Sequence, residues 1–187
     1  IFVANITSVL NYLKSASKST DASTPIANSP LPTPDPTLTS SWKKYTGDLG
    51  FNYDFQLLYP PNWKYSPGFD SPAVGVSNEK NAFFLLSVSN DFGCRSQINY
   101  TRKSLTTWLT LTESNILLAD RSASQFFGRA KITGYSDPSA NKEFDYKVIL
   151  LPRSNICYDL SSIAYDDTTP QSKQFLDQIL STFKFLE

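Results

Sequence analysis

The 187-residue chain contains no histidine, no methionine, only two cysteines and only seven glycines. Without histidine, Ser-His-Asp and Cys-His catalysis are excluded, together with imidazole metal ligands and a histidine pH switch. The sequence also lacks a Gly-x-Gly-x-x-Gly motif and a phosphate loop, so nothing in it supports nucleotide binding. We therefore expect a protein that is not an enzyme and that carries no cofactor.

Charge of one sign is not in excess, because 17 Lys and Arg residues balance 17 Asp and Glu residues. A chain without net charge exerts no long-range attraction on nucleic acid or on anionic lipid. We therefore expect no nucleic-acid partner. No run of about 20 apolar residues occurs either, so the sequence contains no complete membrane span.

Residues 1–18 form the first of three segments, and their apolar side chains recur at helical spacing: Phe2, Ile6, Val9, Leu10 and Leu13. This spacing predicts an amphipathic helix. The abrupt apolar start at Ile1 also fits the outer end of a signal or transmembrane segment. Both interpretations, a helix docked on its own domain and the remnant of a membrane segment, stay open.

Residues 19–41 form the second segment, which is rich in serine, threonine and proline, with prolines at positions 25, 30, 32, 34 and 36. Proline lacks the backbone N–H and fixes φ, so this spacing opposes both a helix and a central strand. We predict an extended, semi-rigid linker that could reach about 70 Å if fully extended.

Residues 42–187 form the third segment, which is long enough for a globular domain with a hydrophobic core. Apolar and polar residues alternate strictly from Phe51 to Tyr59, which predicts a strand with one buried face. A change in the parity of apolar positions between Leu160 and Ile163 predicts a bulge. Further strands are predicted over residues 73–76, 81–89, 116–119, 126–135, 143–151 and 156–165, and residues 152–155 are predicted to join the last two as a hairpin.

Two helices are predicted within this domain. The first covers residues 102–112, where Leu105, Trp108 and Leu109 lie at helical spacing. The second follows Thr169 as the N-cap and Pro170 as the first helical residue, and the chain then returns to the sheet over residues 183–185. Helices that cover opposite faces of an antiparallel sheet give an α+β sandwich.

Two stretches of the domain resemble the PsbP-like, or Mog1/PsbP, group. They are Gly50-Phe51 leading to Tyr59-Pro60-Pro61-Asn62-Trp63, and residues 175–185, which read FLDQILSTFKF. The resemblance implies an α/β/α sandwich in which Trp63 packs beneath a proline-stopped strand. Similar bacterial members often lie outside the membrane behind an N-terminal anchor and a Pro/Ser/Thr spacer, many of them without known function. No residue here matches a metal motif of the photosystem members, so their role in ion retention is not transferred.

Cys94 and Cys157 are the only cysteines. In an exported protein such a pair favours a disulfide, which would stabilise the fold by about 4 kcal/mol through loop entropy. The alternative is two independent buried thiols. The spacing is not Cys-x-x-Cys, so a redox-active pair is not expected.

Four aromatic residues in the first part of the domain are candidates for partner recognition: Trp42, Tyr45, Tyr65 and Phe69. Aromatic side chains dominate binding hot spots, although these four could instead pack the loop around Trp63. Asp166 and Asp167 could supply oxygen ligands for calcium, but no EF-hand spacing accompanies them, so turn carboxylates are favoured and no metal site is expected.

These observations predict a non-enzymatic domain outside the cytoplasm, tethered to the membrane by an N-terminal segment or secreted. It would act as a binding or accessory module for a protein partner that the sequence does not identify. The alternative is a structural subunit of a surface filament or layer that packs through residues 1–18.

Overall fold

The structure is a computed structural model, and it describes residues 31, 33–47, 54–67, 73–103, 106–132 and 142–186. The predicted N-terminal segment 1–18, the first part of the predicted linker and the candidate aromatic Phe69 all lie outside the described residues. The predicted strand from Phe51 is described only from residue 54 onward.

The described residues form eleven strands and three α-helices. The helices are α1 (Pro36–Thr39), α2 (Arg95–Lys103) and α3 (Pro170–Thr182), and a 3-10 turn (Phe92–Cys94) leads into α2. The strands are β1 (Lys43–Gly47), β2 (Phe55–Tyr59), β3 (Lys64–Pro67), β4 (Ala73–Ser77), β5 (Ala82–Asn90), β6 (Thr106–Trp108), β7 (Thr112–Leu118), β8 (Arg121–Ile132), β9 (Glu143–Arg153), β10 (Ile156–Tyr165) and β11 (Lys184–Phe185).

The strands belong to two antiparallel sheets. The small sheet has the order β1-β2-β11, and the large sheet has the order β3-β4-β5-β10-β9-β8 with both β6 and β7 paired to the far edge of β8. The hairpin predicted between residues 151 and 156 is present, with its turn at Ser154 and Asn155. Short connections between consecutive strands give this antiparallel arrangement.

Each face of the large sheet carries its own hydrophobic cluster. We call the face with Ile149 and Leu151 the α3 face, because α3 and the small sheet pack there, and Trp63 is buried in the same cluster. We call the opposite face, with Val148 and Leu150, the α2 face. Because β9 is buried on both sides, its apolar run is nearly continuous. The predicted α+β sandwich with helices on opposite faces is confirmed.

Helix α3 begins and ends as its sequence predicts. Thr169 is the N-cap, and its Oγ1 accepts a hydrogen bond from the Ser172 backbone N–H at 3.2 Å, with proline as the first helical residue. Leu176, Ile179 and Leu180 are buried, and each contributes about 1.5–3 kcal/mol of hydrophobic stabilisation. No helix in the described ranges is both long and apolar enough to cross a membrane.

The helix predicted over residues 102–112 is wrong. Helix α2 lies earlier, at Arg95–Lys103, and the backbone N–H of Gln97 in its first turn donates to Asp91 Oδ2 at 2.9 Å. Trp108 lies instead in strand β6, and its indole N–H donates to the Thr101 carbonyl at 3.0 Å. Trp108 and Leu109, two of the residues whose spacing predicted the helix, therefore lie in a strand and in the loop that follows it.

The bulge predicted in β10 is also wrong. The register of β10 against β5 and β9 runs without a break from Ile156 to Ala164. Both faces of this central strand are largely buried, so apolar residues occur at both parities without any change in the backbone. The return strand β11 is present, but it pairs with β2 in the small sheet.

The predicted extended linker does not continue to residue 41, since Pro36–Thr39 is helical. Asp35 caps α1, and its Oδ1 accepts a hydrogen bond from the Thr37 backbone N–H at 2.9 Å. The Asp35 backbone N–H donates to Gln178 Oε1 of α3 at 2.7 Å, and Thr39 is buried. Proline is tolerated at the first position of a capped helix, which the proline count alone does not reveal.

Candidate functional site

A cleft of about 300 Å³ opens on the α3 face, between α3 and strands β8, β9 and β10. Five of its lining residues determine its chemical character: Phe127, Arg129, Asp145, Lys147 and Lys173. The first four come from β8 and β9, where alternate residues face α3. The cleft thus combines one aromatic side chain with charges of both signs.

One wall of the cleft forms where the loop between β6 and β7 crosses strand β8 at Gly128. The backbone N–H of Leu109, in the loop between β6 and β7, donates to the Arg129 carbonyl at 2.8 Å, and the Arg129 N–H donates to Thr110 Oγ1 at 2.9 Å. A Cβ at position 128 would lie 2.0 Å from the Thr110 carbonyl oxygen. Only glycine therefore permits this close crossing.

Arg129 contacts three carboxylates at the mouth of the cleft. Its guanidinium lies 3.0 Å from Asp145 Oδ1, 3.1 Å from Glu143 Oε2 and 2.6 Å from Asp166 Oδ1. The hydrogen bond with Asp145, followed by those with Asp166 and Glu143, raises the pKa of Arg129 above its ordinary value despite its partial desolvation. The arginine therefore stays charged and fixes the orientation of all three acids.

Two lysines connect α3 to the sheet. Lys173 Nζ lies 2.6 Å from Asp145 Oδ2, and Lys147 forms an ion pair with Asp177. Burial raises the pKa of Asp145, but the hydrogen bonds from Lys173 and Arg129 outweigh it, so that pKa lies below its ordinary value. Each charged side chain of the cleft wall within the described residues thus has a partner of opposite sign.

Apolar side chains are exposed in the cleft and in the chain segment beside it. Phe127 is 36% exposed, and Leu109 and Leu111, which flank the crossing residue Thr110, are 47% and 41% exposed. Burial of such side chains against a partner is favourable by roughly 25 cal/mol per Å². Apolar groups next to a fixed polar network are typical of protein-binding surfaces.

Of the aromatic residues predicted for recognition, the three that the structure describes, Trp42, Tyr45 and Tyr65, do not line this cleft. Trp42 packs edge-on against Phe175 of α3 at 5.5 Å between ring centroids. Tyr45 stacks on Tyr65 at 5.4 Å and contacts the buried Phe55 at 5.7 Å. Tyr65 remains 44% exposed, so it keeps an accessible ring, whereas Trp42 and Tyr45 join the edge of the core.

The structure joins Cys94 and Cys157 in a disulfide. Both residues are buried, and the bond connects the 3-10 turn before α2 to the start of β10. Asp166, considered above as a calcium ligand, pairs with Arg129 instead. No cluster of three metal-ligating side chains occurs in the part of the chain that the structure describes.

The sequence did not reveal Arg129, Asp145 and Lys173 as a cluster. They belong to no motif, and strand register is what brings Arg129 opposite Asp145. One signal was available in β9, where Asp145 and Lys147 share their parity with the core residues Ile149 and Leu151. Charges on the buried face of a strand indicate that this end of the face is lined for polar contacts.

No protein-family model matches the sequence, and no curated protein is significantly similar to it. Solved structures do share its fold. LpqN of Mycobacterium tuberculosis, described as involved in cell envelope biogenesis, aligns over 85% of this chain and 100% of its own with 16% identity and a TM-score of 0.53. Cyanobacterial PsbP from Synechocystis sp. PCC 6803 aligns over 78% of this chain and 93% of its own, with 14% identity and a TM-score of 0.49.

A protein from Bacteroides thetaiotaomicron aligns over 78% of this chain with 10% identity and a TM-score of 0.51, and the chain spans about half of it, 48%. At such low identities a likeness concerns the fold alone. LpqN and the Bacteroides protein, with TM-scores above 0.5, thus share the fold of this chain, in agreement with the α+β architecture predicted from its strands and helices.

Proposed function

We propose that the chain is a non-enzymatic binding module that takes a segment of a protein partner in the cleft beneath α3. It acts outside the cytoplasm as an accessory domain, held at the membrane by the segment that precedes the domain or secreted. The observation that carries this proposal is the cleft itself, in which exposed Phe127 adjoins the Arg129 network.

The arrangement suits protein recognition because the polar groups are already oriented. Arg129 is held by three acids, and it can exchange one of them for a carboxylate or carbonyl of the partner without losing its remaining hydrogen bonds. Phe127 in the cleft, together with Leu109 and Leu111 on either side of Thr110, supplies exposed apolar surface that a partner can cover. Oriented polar groups beside an aromatic anchor favour a specific complex.

The same geometry favours binding over catalysis. A general acid or base needs a pKa near the working pH, and the pKa of Asp145 is shifted in the opposite direction. The other acids of the network, Glu143 and Asp166, are held by the same arginine. A hydrolase that uses these carboxylates is therefore disfavoured.

Two observations support a location outside the cytoplasm. The buried Cys94–Cys157 bond is of the kind that persists in oxidising compartments. LpqN, which shares the fold, is described as involved in cell envelope biogenesis. Both fit a domain displayed at the cell envelope.

Site-specific photo-crosslinking in native cells tests the binding role. We expect benzoylphenylalanine at position 127 to give one discrete protein adduct that disappears in an Arg129→Glu background. Leu117 is the matched control, because it is 53% exposed and its register opposite Ser122 places it on the other face of the sheet. Equal adducts at both positions, or none at position 127, would contradict the proposal.

Protease accessibility and fractionation test the location. On intact spheroplasts, external protease should cleave the domain, and the full-length protein should sediment with membranes. The thiols should resist alkylation until a reductant is added. A protein found wholly in the cytoplasm with two free thiols would rule out the proposed location.

A further inference from the structure

Among the described residues, helix α2 covers only part of the α2 face of the large sheet. Helix α2 packs over the β9 side, where Val148 and Leu150 are buried beneath Ile98. On β5 of the same face, Leu85 is 45% exposed, whereas its neighbours Phe84 and Leu86, which point to the α3 face, are 2% and 0% exposed. An apolar strip around Leu85 is therefore open to solvent.

Asp159 stands at the boundary between the covered and the open half. On β10 it lies opposite Leu150 of β9 on the covered side and opposite Ser87 of β5 on the open side. The next residue on this face, Ser161, lies opposite Leu85. The Asp159 carboxylate thus lies diagonally across the strand pair from the exposed Leu85.

This carboxylate has a hydrogen bond but no cation. Ser161 Oγ donates to Asp159 Oδ1 at 2.5 Å, and the same hydroxyl forms a hydrogen bond with the Tyr146 phenol. Within the described ranges no Lys or Arg forms an ion pair with Asp159. Burial raises the pKa of Asp159, and burial followed by the nearby Asp159 charge raises that of Tyr146 to about 12.

We propose that this half of the α2 face is a docking surface for a partner protein segment that places a Lys or Arg side chain against Asp159 and apolar side chains on Leu85. The surface lies on the opposite face of the sheet from the cleft, so it is a second site. Charge complementarity selects the occupant, because a half-buried acid without a counterion gains most from a cation.

The surroundings of Asp159 suit such a side chain. Tyr100 of α2 is 58% exposed and interacts with Tyr146, which itself neighbours Asp159, so an accessible aromatic ring lies on the same face of the sheet. An ammonium or guanidinium group is attracted to the face of such a ring. The aliphatic stem of Lys or Arg can lie along Leu85 while its head reaches the carboxylate.

Three peptides measure the preference on the full chain: Ac-Leu-Lys-Leu-NH2, Ac-Leu-Gln-Leu-NH2 and Ac-Leu-Glu-Leu-NH2. We expect the lysine peptide to shift the amide resonances of Leu85, Asp159 and Ser161 with a Kd at least tenfold below that of the glutamine peptide. The glutamate peptide should bind weakest. In Asp159→Asn this tenfold preference should vanish, and Asp120→Asn, which changes an exposed turn carboxylate, should retain it.

Supplying the cation within the chain gives a second test. Ser87 is the cross-strand partner of Asp159, so Ser87→Lys places an ammonium beside the carboxylate. We expect this variant to lose the preference for the lysine peptide, whereas Ser87→Gln, of similar size, should keep at least half of it. Both variants alter a half-buried strand position, and unchanged amide spectra elsewhere will show that they fold.

Other results would overturn the proposal. Equal binding of the lysine and glutamine peptides would reduce the site to an apolar patch, and no binding of any peptide would remove it. Concentration-dependent dimers that Leu85→Asn abolishes would assign the surface to a second copy of the chain. Binding to phosphatidylglycerol vesicles that requires Leu85 but not Asp159 would assign it to a membrane.

Discussion

Each face of the large sheet carries a partly buried aspartate, and the two aspartates have different partners. On the α3 face, Asp145 lies between Arg129 and Lys173, and Lys147 meets Asp177 across the gap to the helix. On the α2 face, the described residues give Asp159 a hydrogen bond from the Ser161 hydroxyl and no ion pair. Burial acts on both acids, but the pKa of Asp145 falls below its ordinary value whereas that of Asp159 rises above it.

The difference shows that the partner, not the burial, decides the state of a half-buried carboxylate in this fold. Lysine and arginine reach Asp145 from two separate elements, α3 and β8, so the ion pairs also connect the helix to the sheet. Among the described residues, Asp159 does not connect two elements, because its hydrogen bond with Ser161 stays within β10. A charge of the first kind supports the fold, and a charge of the second kind remains available for a partner.

The largest expected effect concerns the α2 face, where the disulfide closes a loop with a sequence separation of 63 residues. Cys94→Ala with Cys157→Ala should lower the free energy of unfolding by about 4 kcal/mol, because the unfolded chain regains the entropy of that loop. Urea unfolding measures the loss, and the unaltered chain in reductant should show a similar decrease. An unchanged midpoint in both samples would contradict the prediction.

The next effect concerns the wall of the cleft. Gly128→Ala should lower the free energy of unfolding by at least about 2 kcal/mol, because the new Cβ would overlap the Thr110 carbonyl unless the chain crossing separates. Gly75→Ala is the control, since a Cβ there meets its nearest neighbour at 3.6 Å. Equal stabilities of the two variants in urea would show that the crossing is not rigid.

A smaller effect is expected for Arg129→Gln, which removes the shared partner of three acids. The folded protein lowers the pKa of Asp145, so the resulting stability is present above the ordinary pKa of about 3.9 and is lost as pH falls through the lowered value. The variant should lose about 1 kcal/mol at pH 7, since these side chains are partly exposed.

Unfolding of Arg129→Gln at pH 7, 4 and 2 measures this loss, which should shrink towards zero as the acids become protonated. Lys103→Gln, at an exposed position of α2, removes one positive charge without touching the network and controls for net charge. A loss at pH 7 that persists unchanged at pH 2 would assign the effect of Arg129 to packing rather than to ion pairing.

The smallest expected effect is that of Asp159→Asn, and its change in stability at pH 7 has the opposite sign to that of Arg129→Gln. The folded state raises the pKa of Asp159, so stability is highest below the ordinary pKa of about 3.9 and falls as pH rises towards the raised value. Asp159→Asn should therefore be more stable than the parent chain at pH 7 and equal to it near pH 3. Tyr146, the other titratable group beside this acid, stays neutral over that range because its pKa is raised to about 12.

Urea unfolding of Asp159→Asn at pH 3, 5 and 7 is the measurement, with Asp120→Asn as the control for removing an exposed carboxylate. A loss of stability at pH 7 would mean that Asp159 already has a counterion, and it would remove the contrast between the two faces.

Local signals in the sequence predicted much of the fold. The Thr169–Pro170 start of α3 and the 143–165 hairpin depend on neighbouring residues, and both are present. Helix α2 was misplaced because Trp108 fits a helical stripe as well as it fits a short strand packed on Tyr146. The indole hydrogen bond to the Thr101 carbonyl favours the strand position of Trp108, and it forms only after the chain has folded.

The candidate site was less predictable than the fold. The pairing of Cys94 with Cys157 followed from a count of two, but the cleft depends on Arg129 and Asp145 meeting by register across β8 and β9. A slip of one residue in that pairing would send the two charges to opposite faces. Strand register is a property of the whole sheet, and no short motif encodes it.

The position of the disulfide also determines how the domain yields under mechanical load. A force applied on the N-terminal side acts first on the contacts of Asp35 and α1 with α3, and then on β1, the edge strand of the small sheet. That edge strand can be peeled away while the large sheet stays closed. Even after β5 and β10 separate, the covalent bond keeps the segment between the two cysteines, with a sequence separation of 63 residues and about 210 Å of contour length, from being extended. The domain thus starts to unfold outside the large sheet, and the disulfide limits how far its chain can be extended.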